Sequence, residues 1–208
     1  SAESPTRSWV SSSADFAQQN GMTLEADITF LKKPSTKSAH YYDTPFLSSS
    51  IFGTHGAEDN NLTWLATDNG DFQVYAVREE RNGEAAYFQL TSSVLAVNLT
   101  SSVFGDVHAG SRWNLAAKVK NSSLNTAGDY TIEFQGVNSD GDRIANSFLV
   151  TASLDSATAQ DFLASGKRVY AGAYRTNFTG SVLAKTDALV SNVRYWAKHL
   201  EEGAITNH

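Results

Sequence analysis

The chain has 208 residues, 41% of them hydrophobic and 11% aromatic, with 14 glycines, 3 prolines and no cysteine. This composition excludes a disordered or collagen-like chain, a disulfide-stapled miniprotein and any zinc–thiolate or cysteine-nucleophile chemistry. The net charge is −6 with no basic patch, so nucleic acid is not an expected partner.

Alternation of apolar and polar residues dominates the chain. Residues 23–31 place Leu24, Ala26, Ile28 and Phe30 on one face and Glu25, Asp27 and Thr29 on the other. That pattern predicts an antiparallel strand with one buried and one solvated face. Residues 32–46 carry two of the three prolines and read as a long connection. The same alternation predicts strands at 61–66, 72–78, 85–91, 113–120, 130–137, 147–154, 168–174, 182–184 and 189–196. Asn-Gly and Asp-Gly turns separate several of them, supplying the positive φ that tight hairpins need. Helix is predicted only at 156–164, with Thr158 and Asp161 at capping-box spacing, and in a final turn within 199–206. About ten short strands at this spacing imply an all-β fold, an antiparallel two-sheet sandwich. No biased linker divides the chain, so a single domain over residues 1–208 is expected, with its core at about 23–205. It begins at Ser1 with neither an initiator Met nor an apolar leader, and it reads as part of a longer chain. No run of about 18 apolar residues occurs, so membrane insertion is not expected.

Candidate chemistry is sparse. Glu25-Ala-Asp27 shares a strand face but reads as solvated surface. Adjacent acids such as Glu79-Glu80 point to opposite faces and cannot act as an acid–base pair on one strand. No pair among the five histidines has helical metal-ligand spacing, although His40 and His55 flank a Tyr-rich loop. The segment Asn138-Ser-Asp140-Gly-Asp142 puts oxygen groups at alternate positions around a glycine. Asp140 and Asp142 are therefore the candidate calcium ligands, in competition with plain turn chemistry. No other cofactor is implied. Tyr41, Tyr42, Tyr174, Arg175 and Asn177 are the candidate ligand-binding residues, because aromatic faces beside a guanidinium and an amide suit sugars as well as protein partners.

The order of the motifs carries a resemblance. The strand Thr23-Leu-Glu-Ala-Asp-Ile-Thr-Phe30, the Trp-led Trp113-Asn-Leu-Ala-Ala-Lys-Val-Lys120 and Tyr130-Thr-Ile-Glu-Phe-Gln-Gly136 come in sequence. They are followed by Val169-Tyr-Ala-Gly-Ala173 and the closing Asp187-Ala-Leu-Val-Ser-Asn-Val-Arg-Tyr-Trp196 with Leu200 and Ile205. Together they resemble the laminin-G-like branch of the concanavalin A-like jelly rolls. The resemblance implies a jelly-roll sandwich whose last strand pairs beside the first. It raises the expectation of a rim calcium only slightly. The glycosidases of that fold carry a Glu-x-Asp-x-x-Glu strand. Here Phe30 stands where the second glutamate would be. The expected function is a non-catalytic binding or assembly module of a larger extracellular or virion-surface structural protein. Its partner would be a glycan, a protein or other copies of the parent assembly. The alternative is a carbohydrate-active enzyme, a glycosidase or lyase.

Overall fold

The computed structural model describes residues 14–31, 47–56, 70–80, 83–122, 128–141, 143–175 and 182–206. Helix α1 (Ala14–Asn20) precedes β1 (Met22–Phe30), β2 (Ser48–Gly56), β3 (Phe72–Arg78), β4 (Ala86–Ser92) and β5 (Val97–Thr100). After a 3-10 turn come β6 (Arg112–Asn121), β7 (Tyr130–Asp140), β8 (Arg143–Leu154) and α2 (Ser156–Ala164). The chain then forms β9 (Lys167–Ala171), β10 (Tyr174–Arg175), β11 (Val182–Ala184), β12 (Ala188–Trp196) and α3 (Glu202–Thr206). Two five-stranded antiparallel sheets result, ordered β12-β1-β6-β7-β8 and β5-β4-β3-β2-β9, with a small β10–β11 ribbon beside the second. We call them sheets A and B. The expected all-β two-sheet sandwich is the observed architecture.

The alternation seen in the sequence explains the core. Leu24, Ile28, Phe30, Trp113, Leu115, Ile132 and Phe134 of sheet A are buried against Phe52, Val74, Phe88 and Leu90 of sheet B. Trp113 lies with its ring centroid 4.8 Å from both Phe88 and Phe104. Phe148 stacks on Phe88 at 5.6 Å. Its ring passes directly over Gly136, where a Cβ would stand 2.1 Å from Phe148 Cε1. A residue without a side chain is required there for two core rings to meet.

The closing strand β12 pairs antiparallel with β1, from Thr23 opposite Trp196 to Phe30 opposite Ala188. A bulge interrupts this ladder between Glu25 and Asp27. There Asn192 adopts φ +49°, a left-handed conformation that asparagine tolerates better than most residues. The bulge turns its amide onto Asp27 Oδ2, 2.7 Å away. Leu200 and Ile205 of the following segment pack with Ala116 on the outer face of sheet A.

The other sequence expectations fare variously. Helix α2 occupies the predicted residues, but its N-cap is Asp155, whose carboxylate accepts from Thr158 N at 2.9 Å. Strand β8 begins four residues earlier than predicted. The predicted strand 168–174 is two, broken at Gly172 with φ +80°. Helix α1 and strands β2 and β5 were not predicted. The predicted strand 61–66 and the connection 32–46 lie outside the described residues.

At one end of the sandwich the ion pair of Arg78 and Asp187, 2.9 Å apart, ties β3 to the start of β12. His108 is buried nearby, edge-on to Phe30 at 4.7 Å, and its Nε2 has no hydrogen-bond partner. Burial, reinforced by the Arg78 charge and opposed by Asp187, lowers the His108 pKa to about 4. The unfolded chain takes up this proton near 6.5, whereas the folded chain resists until about 4. Stability is therefore fully present above pH 6.5 and falls as the pH drops through that window. A melting-temperature series from pH 7 to 4 should show a decline of roughly 5 °C from this group, and His108→Phe should flatten it.

Candidate functional site

The strand registers define what the outer face of sheet B presents. Gly53 lies across from Gln73 and Tyr170, and His55 lies across from Arg168. Tyr75 lies across from Gln89, and Gln73 from Thr91. Gln89 in turn lies across from Thr100, and Asn98 from Thr91. Because Phe52, Val74, Phe88 and Leu90 point into the core, their strand neighbours project outward. The face thus carries His55, Gln73, Tyr75, Gln89, Asn98, Arg168 and Tyr170 on the five adjacent strands of the sheet.

Gly172 completes the arrangement. Its positive φ ends β9, and its N–H donates to Ile51 O at 2.6 Å. The turn brings Tyr174 back over β2. Tyr174 stacks on the His55 ring with centroids 4.9 Å apart and planes 19° apart. Tyr170 lies 5.2 Å from His55 and 5.4 Å from Tyr174. Gly53 makes room for this cluster, since a Cβ there would stand 2.5 Å from Tyr170 Oη. The result is a ledge of three aromatic rings flanked by side-chain amides. Gln89 Nε2 donates to Asn98 Oδ1 at 2.7 Å.

The electrostatics keep the phenols neutral. Burial pushes the Tyr170 phenol far above its usual range, with the neighbouring tyrosines and Asp71 adding to it. Burial also raises Tyr75, with Tyr174 contributing, and raises Tyr174, with Asp71 contributing while a Gln73 hydrogen bond opposes. Each hydroxyl is therefore a donor and acceptor, never a phenolate, at neutral pH. Tyr170 Oη and Ser50 Oγ lie side by side, yet neither closes a well-aligned hydrogen bond.

The outer face of sheet A is a second polar surface, and it is closed. Glu25 is fully buried and accepts from Trp196 Nε1 at 2.9 Å beside Arg194 at 3.3 Å. Asp27, 5% exposed, accepts from Arg112 at 2.7 Å, Asn114 at 3.0 Å and Asn192 at 2.7 Å. Burial alone would raise the Asp27 pKa, but the hydrogen bonds from Asn192, Asn114 and Arg112 outweigh it and the pKa is lowered. The expectation that these two acids form a solvated face is therefore corrected. Bulge, strand β12 and C-terminal segment cover them, and both are committed to ion pairs. Lys118, wholly buried, contacts Glu133 at 2.9 Å and Gln135 Oε1 at 2.8 Å, and His199 Nε2 lies 2.9 Å from Glu133.

Of the candidate ligand residues, Tyr174 stands in the aromatic ledge. Arg175 follows it on β10, but its side chain lies outside the described residues, as do Tyr41, Tyr42 and Asn177. Asp140 sits at the β7–β8 hairpin, paired in register with Arg143 beside Gly141 at φ +60°. Asp142 lies outside the described residues. Among the described residues no three acidic or histidine groups come together as metal ligands. The members not singled out from sequence are Gln73, Tyr75, Gln89, Asn98, Arg168 and Tyr170. All but Asn98, which lies outside the predicted strands, fall on the outward phase of a predicted strand. Asn121, which opens the Asn-x-Ser sequence Asn121-Ser-Ser123, is buried, and its amide donates to Gln18 O at 2.9 Å.

No family model matches the chain, and no curated protein matches it. Three solved structures are similar to it in architecture at low identity. Alginate lyase PA1167 from Pseudomonas aeruginosa is 13% identical with a TM-score of 0.46, over 88% of this chain and 67% of that one. The enzymatically active domain of bacteriophage CBA120 tailspike protein 2 is 10% identical with a TM-score of 0.45, over 90% of this chain and 23% of that one. The receptor-binding domain of botulinum neurotoxin type G is 8% identical with a TM-score of 0.38, over 90% of this chain and 37% of that one.

Proposed function

We propose that the chain is a non-catalytic glycan-recognition module of the laminin-G-like kind, carried at the surface of a larger extracellular or virion structural protein. One observation carries this reading: the ledge of His55, Tyr170 and Tyr174 beside Gln73, Gln89 and Asn98 on the outer face of sheet B. Sugar rings offer apolar C–H faces that stack on aromatic rings and hydroxyls that pair with amides. Neutral tyrosine hydroxyls serve both donor and acceptor roles toward them. No helix among the described residues is long and apolar enough to cross a membrane. The candidate calcium ligand Asp140 lies on the hairpin of the opposite sheet, so sugar binding at this face is expected to be independent of calcium.

A glycan array probed with the purified chain, with calcium and again with a chelator, tests the reading. One sugar class should bind, survive chelation and weaken at least tenfold in Tyr174→Ala. A tenfold loss corresponds to about 1.4 kcal/mol, within reach of one stacked ring. Silence across the array, or binding indifferent to Tyr174→Ala, would overturn it.

A second reading rests on the same residues. His55 stacked on Tyr174, with Arg168 across the strand pair, offers a base, an acid and a charge-neutralising group of the kind a polysaccharide lyase needs. Release of unsaturated ends from a uronate polymer, lost in His55→Ala, would favour it over pure recognition.

A further inference from the structure

The four sheet edges are not equivalent. Strand β5 has only 4 residues. Strand β9 has 5 and carries Lys167 and Arg168. Strand β12 is interrupted by its bulge and by Arg194. Short length, charge and bulges are the ordinary ways of keeping an edge from pairing. Strand β8 has none of these over most of its length. It runs for 12 residues, carries no charge from Ile144 to Leu154, and its ladder with β7 is regular from Asn146 onward. It ends sheet A. Its core-facing row, Phe148, Val150, Ala152 and Leu154, packs against the core but stays only partly buried. Leu149 on the other face is 43% exposed.

We propose that β8 pairs antiparallel with β8 of a second copy of this chain across a two-fold axis at Leu149. The charges at the strand ends select this occupant and this register. Arg143 and Asp155 are both exposed and lie six residues on either side of Leu149. An antiparallel self-pair centred there brings the Arg143 end of each strand beside the Asp155 end of the other. The same register sets Phe148 opposite Val150 and Ser147 opposite Thr151, so each face meets its like. Because the other edges are blunted, the pairing closes at a dimer. The axis runs perpendicular to the joined sheets A, so both sheet B faces point the same way and the pair presents two copies of the aromatic ledge. The dimer stands or falls independently of the glycan reading.

The chain has no cysteine, so one introduced thiol reports the register cleanly. Paired residues in an antiparallel ladder have Cα atoms about 4.5–5.5 Å apart, within the disulfide window. Leu149→Cys should therefore cross-link to a covalent dimer under mild oxidation. Ser147→Cys, displaced about 13 Å from its own copy, should not. By sedimentation equilibrium the unmodified chain should be a dimer. Leu149→Lys, which sets like charges face to face at an exposed position, should be a folded monomer, and mixing it with Leu149→Glu should restore the dimer. A monomeric unmodified chain, a dimer that Leu149→Lys leaves intact, or equal cross-linking at 147 and 149 would overturn the proposal. Monomers would leave the edge to a different protein.

Discussion

Glu133→Gln is expected to lower the unfolding free energy by about 3 kcal/mol, since breaking a buried pair by removing one charge strands the other. Lys118 is fully shielded from solvent, and its ammonium is held by Glu133 and Gln135. Neutralising Glu133 leaves that cation with amides alone. The same carboxylate also creates a pH dependence. The His199 hydrogen bond, aided by Lys118 and opposed by burial, lowers the Glu133 pKa from 4.5 to about 2. Its folded pKa is depressed, so its contribution is fully present above about 4.5 and is lost as the pH falls toward 2. The difference corresponds to an upper bound of about 3 kcal/mol. Urea titrations from pH 6 to 2.5 should show this slope in the unmodified chain and its absence in Glu133→Gln. The double variant Lys118→Met/Glu133→Leu should recover most of the loss, because an apolar pair of similar volume carries no desolvation cost.

Trp113→Ala should cost about 3–5 kcal/mol, the usual range for deleting a large buried aromatic side chain. Trp113 is wholly buried where Phe88, Phe104 and Phe148 converge from both sheets. Its indole N–H also donates to Ser111 Oγ at 3.2 Å. The surrounding rings belong to two different strands and the β5–β6 connection, so they cannot collapse together into the space left behind. Trp113→Phe, which keeps an aromatic contact, should lose less than half as much. Equal losses for the two variants in denaturant unfolding would place the stabilisation elsewhere.

Strands with one wet and one dry face could be read from sequence nearly residue by residue, as Phe72–Arg78 shows. Strand β2 could not. In Ser48–Gly56, residues 49 to 54 are all buried, because β2 lies inside sheet B and the segment around Lys185 and Asp187 bonds back onto it. Burial on both faces erases alternation. Glu25 and Asp27 failed in the opposite sense. Their pattern was that of a solvated face, and only the long-range pairing with β12 and the C-terminal segment covers it. The Asn192 bulge likewise depends on Asp27, 165 residues away. The site was half legible: Gln73, Tyr75 and Gln89 declared their outward phase, and Tyr174 stood out as an aromatic beside a turn. What joined them was the order β9-β2-β3-β4, which brings residue 53 into register with 170 and residue 55 with 168 and which no local signal encodes.

The most direct test of the central claim is an NMR titration of the chain with the sugar class selected on the array, following the histidine and tyrosine ring protons. The account predicts shifts at His55, Tyr75, Tyr170 and Tyr174, with His199 on the outer face of sheet A unmoved. Shifts concentrated at His199 and Trp196, with the His55 ring silent at saturation, would contradict it.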